Sequence, residues 1–212
     1  MIKAVLFDLD GTLMDTSEGI FHTSQYTVSM LGYSPCEDMK RLRRFVGPPL
    51  KECFRIVYGF EDDELLEKCV EVYRKEYEKT GMHLCHLYDG IEDVILRLRS
   101  QGLKTGVCTL KYEKLSKMIF EEKGISALFD TVHGTDNRGK ITKTDCILLS
   151  VADLGLEKDE VLMVGDTVND LEGARNAGVN FAAATWGFGF ERGGSVDYGV
   201  TVDCPYDILK LV

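Results

Sequence analysis

From about residue 88 onward, short apolar runs alternate with segments of helical period, and this pattern constrains the fold more than any other feature of the chain. Ile91, Val94, Ile95 and Leu98 repeat at helical spacing, with Gly102 as a stop. Thr105 to Thr109 reads as a short strand. Leu115, Met118 and Ile119 mark the next helix, closed near Gly124, and Phe129 to His133 reads as a strand. Ile147, Leu148, Val151 and Leu154 mark a helix ending at Gly155. Val161 to Val164 is too short an apolar run for a helix and reads as a buried strand. Leu171, Ala174 and Ala177 give a short helix before Gly178, and Phe181 to Ala184 continues the alternation. Strands separated by helices argue for an α/β protein with a parallel sheet covered on both faces. Residues 16–81 read differently. Helical segments at 17–31, 37–45, 50–58 and 62–80 follow one another without strand signals, interrupted by Gly47-Pro48-Pro49. The expected architecture is an α/β core formed by residues 1–15 and 82–212, with an all-helical insertion at 16–81.

The 212 residues suit one to two domains. A formal charge of -10 argues against nucleic acid or an anionic membrane as a partner. Arg41, Arg43 and Arg44 form the densest basic group and read as a solvated helix face. The 7 cysteines contain no CxxC pair, and Cys108 and Cys146 sit among apolar residues as small core side chains. The start lacks the basic and apolar regions of a signal peptide, and no apolar stretch is long enough to span a membrane. Reduced thiols and these absences point to a cytoplasmic location.

In open parallel sheets, ligands bind beyond the carboxyl ends of the strands. The first apolar run, Ala4-Val5-Leu6-Phe7, leads into Asp8-Leu9-Asp10-Gly11-Thr12. The second ends in Thr109, and the run at 161–164 ends in Gly165-Asp166, with Asp170 close behind. Carboxylates at the ends of apolar strands are costly unless a cation neutralises them. Asp8, Asp10, Asp166 and Asp170 would converge on one rim, and hard oxygen ligands in that number suit Mg²⁺. Asp8 and Asp10 would share a face if the strand stayed regular through both. An ionised carboxylate needs no base to become a nucleophile, so Asp8 can attack a phosphoryl group and form an aspartyl-phosphate. Asp10 can protonate the leaving alcohol and then deprotonate the attacking water. Thr109 can donate a hydrogen bond to the phosphoryl group. A lysine is needed to balance the transferred charge; Lys143 is the better placed and Lys140 is its rival. Asp170 reads equally as a metal ligand, a helix cap or a neighbour of the ligands.

Asp8-Leu9-Asp10-Gly11-Thr12-Leu13, Thr109, Lys143 and Gly165-Asp166…Asp170, in that order along the chain, resemble the haloacid dehalogenase superfamily. The resemblance implies a Rossmann-like core with an inserted helical cap that closes over the substrate. It implies an aspartyl-phosphate mechanism with Mg²⁺, held by Asp8, the backbone carbonyl of Asp10, and Asp166. The acid at Asp10 disfavours C–Cl cleavage, because the dehalogenases of this superfamily lack it. Ile20 stands where the β-phosphoglucomutase branch carries a histidine, and Thr12 where that branch has valine, which disfavours a sugar phosphomutase. Phe45-Val46-Gly47-Pro48-Pro49-Leu50 and Gly187-Phe188-Gly189 are similar to phosphoglycolate phosphatases and their relatives, whose substrates include nucleotides and pyrophosphate. The expected activity is hydrolysis of a small phosphorylated metabolite by a monomer or homodimer. A 5′-nucleotidase or pyrophosphatase of the same fold is the alternative, and a non-catalytic sensor of phosphate ligands is a third reading, disfavoured by the presence of Asp10. The chain departs from the pattern at Leu110-Lys111, where relatives carry Asn or Ser after the threonine, and at Thr144, where Pro often follows the lysine.

His83-Leu84-Cys85-His86 matches no zinc spacing and reads as a hinge where the insertion rejoins the core. Gly187-Phe188-Gly189-Phe190 lacks the third glycine and following helix of a nucleotide fingerprint and reads as a loop near the site. Pro48 and Pro49 read equally as a helix stop and as a rigid loop facing the site, with Arg44 or Lys51 supplying charge for substrate choice.

Overall fold

Ala4–Phe7 is buried at every residue and forms β1, one of the two central strands of a sheet. The computed structural model describes residues 1–136 and 140–212. Its strands are β1 Ala4–Phe7, β2 Met14–Asp15, β3 His86–Leu87, β4 Lys104–Tyr112, β5 Thr131–Thr135, β6 Val161–Gly165, β7 Asn180–Ala184 and β8 Val200–Val202. Its helices are α1 Ser17–Met30, α2 Met39–Leu42, α3 Leu50–Tyr58, α4 Asp63–Lys79, α5 Ile91–Ser100, α6 Glu113–Glu122, α7 Lys143–Leu154 and α8 Val168–Ala177. Two compact units result: Met1–Asp15 with Leu87–Val212, and Thr16–His86.

The first unit carries a six-stranded sheet in the order β5-β4-β1-β6-β7-β8, with every described neighbour pair parallel. Parallel neighbours need crossovers, which the helices between the strands supply. Phe7 lies opposite Val107 on one side and Val164 on the other. Leu6, Cys108, Met163 and Phe181 pack with Ile147 and Val151 of α7 and with Leu171, Ala174 and Ala177 of α8. The sheet is apolar on both faces because both are covered. α7 and α8 end at Gly155 and Gly178, each left-handed at φ 63° and 77°, so the stops read from the sequence have a conformational cause. β8 is a short addition at the sheet edge that the sequence pattern did not reveal.

β5 begins at Thr131, two residues after the expected start. Phe129 is spent on the core, its ring 5.0 Å from that of Phe120, and Asp130 anchors the approach. The Asp130 carboxylate accepts from the Thr105 amide at 2.9 Å and from Arg99 at 2.6 Å. Burial pushes its pKa up, but those hydrogen bonds and Lys104 prevail and hold it below the usual carboxylate value.

The second unit is helical. The segment expected as one helix at 37–45 is the four-residue α2 followed by a 3₁₀ turn at Arg43–Phe45. Asp38 starts it, its carboxylate accepting from the amides of Lys40 and Arg41, and Pro48 and Pro49 stop it. Phe45, Phe54, Tyr58 and Tyr73 pack ring against ring in its interior. This unit extends to His86, whereas the sequence reading returned the chain to the core at residue 82. The reason is local. The Gly19 amide donates to the Leu84 carbonyl at 3.2 Å, and a side chain on Gly81 would strike Thr23 Oγ1, so the turn after α4 is pressed onto α1. No helix among the described residues is long and apolar enough to cross a membrane.

Candidate active site

β1 stops at Phe7, and Asp8 makes one more ladder contact, its amide donating to the Val164 carbonyl at 2.9 Å. The chain then turns. The amides of Leu13 and Met14 both donate to the Leu9 carbonyl, and Gly11 takes φ 95°. A Cβ at Gly11 would lie 2.3 Å from Asp166 Oδ2, so the position needs glycine for its conformation and for its space. The strand therefore does not stay regular through Asp10, and the two acids do not share a strand face. Each meets a different lysine.

Asp8 is buried, and its Oδ1 accepts from Lys143 Nζ at 2.5 Å. Lys143 opens α7 and is itself buried. Its ammonium also donates to the Cys108 carbonyl at 2.9 Å and lies 2.6 Å from Asp170 Oδ1. That last contact is an ion pair without hydrogen-bond alignment, since Asp170 Oδ1 has no aligned donor. Asp166 follows β6 and is held on both oxygens: Thr12 Oγ1 donates to Oδ1 at 3.0 Å and the Phe188 amide to Oδ2 at 2.8 Å. Asp170, in the first turn of α8, accepts from the amide and hydroxyl of Thr167 at 2.9 and 2.7 Å. One oxygen from each of Asp8, Asp166 and Asp170 lies within 4.8 Å of the others.

If all three buried carboxylates are ionised, the single ammonium of Lys143 leaves two negative charges in excess. Burial is the largest influence on Asp8. Lys143 opposes it, the charges of Asp170 and Asp10 add to it, and the carboxyl is pushed up to about 7. Asp166 is pushed up by burial and then by Asp170 and Asp8, against the Phe188 and Thr12 hydrogen bonds. Burial opposes the charge of Lys143, but Asp170 and Asp8 outweigh it and hold the ammonium above its ordinary pKa. A divalent cation would cancel the excess. The donor set, oxygen throughout, fits Mg²⁺.

Asp10 stands outside this cluster. Its carboxylate receives Lys111 Nζ at 2.8 Å on Oδ1 and 3.0 Å on Oδ2. Thr109 is buried near the end of β4, and its hydroxyl oxygen accepts from the Lys111 amide at 3.1 Å. Lys140 is exposed, its amide donating to Asp136, so the structure brings Lys143 and not Lys140 to Asp8.

Three contributors were not legible as such. Thr12 and the Phe188 amide orient Asp166, and Lys111 meets Asp10. The glycines around Phe188 were the available signal. A Cβ on Gly187 would lie 2.4 Å from Asp166 Oδ2, and one on Gly189 would lie 2.5 Å from the Asp166 carbonyl. The loop after β7 wraps Asp166 closely because its glycines let it.

Residues 5–184 match the family model of haloacid dehalogenase-like hydrolases. A 5′-nucleotidase of Pseudomonas aeruginosa is 34% identical over 188 residues, covering 88% of this chain and 84% of that protein. A phosphoglycolate phosphatase of Aquifex aeolicus is 32% identical over 215 residues, covering 100% of this chain and 97% of that protein. The crystal structure of a predicted phosphatase from Clostridium acetobutylicum superposes with a TM-score of 0.88 at 32% identity, covering 100% of this chain and 98% of that one. With its central acids and its lysine falling inside the matched span, the chain belongs to the haloacid dehalogenase-like hydrolase family.

Proposed function

We propose that the protein is a Mg²⁺-dependent phosphatase of small phosphomonoesters that works through an aspartyl-phosphate on Asp8. The observation that carries this reading is the buried cluster at the carboxyl ends of β1, β4 and β6. There a carboxyl gripped by Lys143 stands beside two further buried acids, three oxygen donors against one ammonium.

Asp8, Asp166 and Asp170, with the carbonyl of Asp10, are the groups that would hold Mg²⁺. When bound, the ion offsets the repulsion between Asp8 and an anionic substrate and polarises the phosphoryl oxygens. Lys143 fixes the Asp8 carboxylate through Oδ1 and adds positive charge where the transferred phosphoryl group arrives. Asp8 forms a bond to phosphorus as the ester P–O bond breaks, and Asp10, entering this step as the protonated acid, gives its proton to the leaving alcohol oxygen and is left as the carboxylate. In the second half, water attacks the same phosphorus, Asp10 takes its proton, and the bond to Asp8 breaks to give inorganic phosphate. Thr109, buried in β4, is the hydroxyl that would donate to the phosphoryl group.

The relatives act on different phosphate compounds by name, so the substrate is found by a panel: phosphoglycolate, sugar phosphates, nucleoside monophosphates and pyrophosphate. Phosphate release is measured with Mg²⁺, with EDTA, and in Asp8→Asn. Release that needs Mg²⁺ and vanishes in the variant is the expected result, and the ranking then separates a phosphoglycolate phosphatase from a nucleotidase or pyrophosphatase. A sugar phosphate isomerised without release would replace this reading with a mutase. A panel that is bound but never turned over would replace it with a sensor.

A further inference from the structure

The ladder between β4 and β5 breaks its register at the site. Thr109 lies opposite Gly134, but the next residue of β5, Thr135, lies opposite Tyr112. Leu110 and Lys111 thus lie within the register shift of β4. Bulges of this kind turn a side chain out of its regular direction. Here the turn delivers the Lys111 ammonium to both oxygens of Asp10, and both side chains are largely buried. The amide of the same residue is tied to the Thr109 hydroxyl. Lys111 is therefore fixed at two points, one on each of the groups placed at the phosphoryl and leaving-group ends of the reaction.

We propose that Lys111 is the specificity-determining residue for the leaving group, selecting phosphomonoesters whose alcohol carries a second negative charge, a carboxylate or a second phosphate. This rests on the phosphatase reading above, in which Asp10 touches the leaving oxygen. Any substituent on that oxygen lies next to Asp10, and hence next to Lys111. An ammonium has three N–H donors and can serve a carboxylate and a second anion together. The three-acid cluster has already claimed Lys143, so the leaving-group end draws its positive charge from Lys111. A neutral alcohol gains nothing there.

The test compares phosphoglycolate with 2-hydroxyethyl phosphate, which is close in size but has a neutral alcohol. Steady-state phosphate release by the Mg²⁺-loaded protein gives kcat/KM for each. The wild type is expected to favour phosphoglycolate by about tenfold or more, the scale of one charge-assisted contact. In Lys111→Met that ratio falls to near one, mainly through KM for phosphoglycolate, and Lys111→Arg restores most of it. Circular dichroism confirms that each variant folds, and Lys111→Gln replaces Lys111→Met if it does not. A wild type indifferent to the carboxylate overturns the proposal, and so does an equal fall for both substrates, since Lys111 would then only position Asp10. Release from 2-hydroxyethyl phosphate without preference would leave the phosphatase reading standing alone, whereas no release from either compound, nor from p-nitrophenyl phosphate, would remove both.

Discussion

Asp8 and Asp10 are two residues apart and each meets a lysine, yet the two pairs are built differently. Asp8 and Lys143 are almost sealed from solvent and share their surroundings with Asp166 and Asp170. Asp10 and Lys111 lie somewhat nearer solvent, one carboxylate against one ammonium held at both oxygens. The first pair sits in an unbalanced cluster, which is expensive in the absence of a further cation. On the function proposed above, the first pair serves the metal and the second serves the leaving group, so the two should answer differently to substitution.

The most damaging way to break the contrast is to remove the cation from the first pair. In Lys143→Met three buried carboxylates face one another without an ammonium, and removal of one partner from a buried ion pair costs about 3–5 kcal/mol. Urea unfolding of the metal-free variant should show that loss at neutral pH and a smaller one at acidic pH, where the carboxyls are protonated. Phosphate release should disappear with it. A loss of stability independent of pH would mean that Lys143 matters for packing rather than charge.

Removing the acid of the second pair should strike chemistry and spare structure. Asp10→Asn deletes the proton carrier, and general acid–base catalysis contributes about 10²–10⁴-fold, so kcat should fall by that much. The cost in stability should be about 1–2 kcal/mol, that of a lost charged hydrogen bond. Mg²⁺ affinity, read by calorimetry, should barely change because the Asp10 side chain lies outside the three-acid cluster. Turnover equal to the wild type would strip Asp10 of its role.

These contrasts were only partly legible in the sequence. The acids could be found because each follows an apolar run, and a sheet of buried strands puts the ends of such runs on one rim. Lys143 could be preferred over Lys140 but not fixed, because the choice depends on where α7 begins, and its N-cap is Thr142 rather than a residue before Lys140. The pairing of Lys111 with Asp10 was invisible. It depends on a bulge, and a bulge is decided by how β4 meets β5, not by the local order of residues. For the same reason nothing in the local order of residues ties Thr12 to Asp166, although its hydroxyl reaches that acid, 154 positions away.

The pH dependence of Mg²⁺ binding sharpens the comparison further. The Asp8 carboxyl is held up to about 7, above the value of about 3.9 in an unfolded chain. The unfolded chain releases its proton first, so the metal-free protein should lose stability as pH rises from about 4 through about 7. Asp166 is displaced in the same direction. On the proposed reading Mg²⁺ would take the place of these protons, and its binding would release them. The rise in Tm on adding saturating Mg²⁺ should therefore be small near pH 5 and grow toward pH 8. In Asp10→Asn the same dependence should persist. A Tm shift that is flat with pH would show that the buried acids are already ionised without the metal.

The smallest expected effect concerns how the cluster is held. Asp170 accepts from both the amide and the hydroxyl of Thr167, so the start of α8 and the orientation of one acid are the same device. Thr167→Val keeps the shape and the amide bond but deletes the hydroxyl donor. One hydrogen bond to a charged group should be lost, about 1.5 kcal/mol. With a single donor remaining, Asp170 is free to rotate about its own side chain, and its Oδ1 drifts from Lys143 and from the oxygens of Asp8 and Asp166. Mg²⁺ affinity should drop several-fold while the ratio of phosphoglycolate to 2-hydroxyethyl phosphate turnover stays where it was, since Lys111 is untouched. A Thr167→Val protein that lost stability but bound Mg²⁺ as tightly as the wild type would show that Asp170 caps α8 without serving the metal, leaving the ion to Asp8, Asp166 and the carbonyl of Asp10.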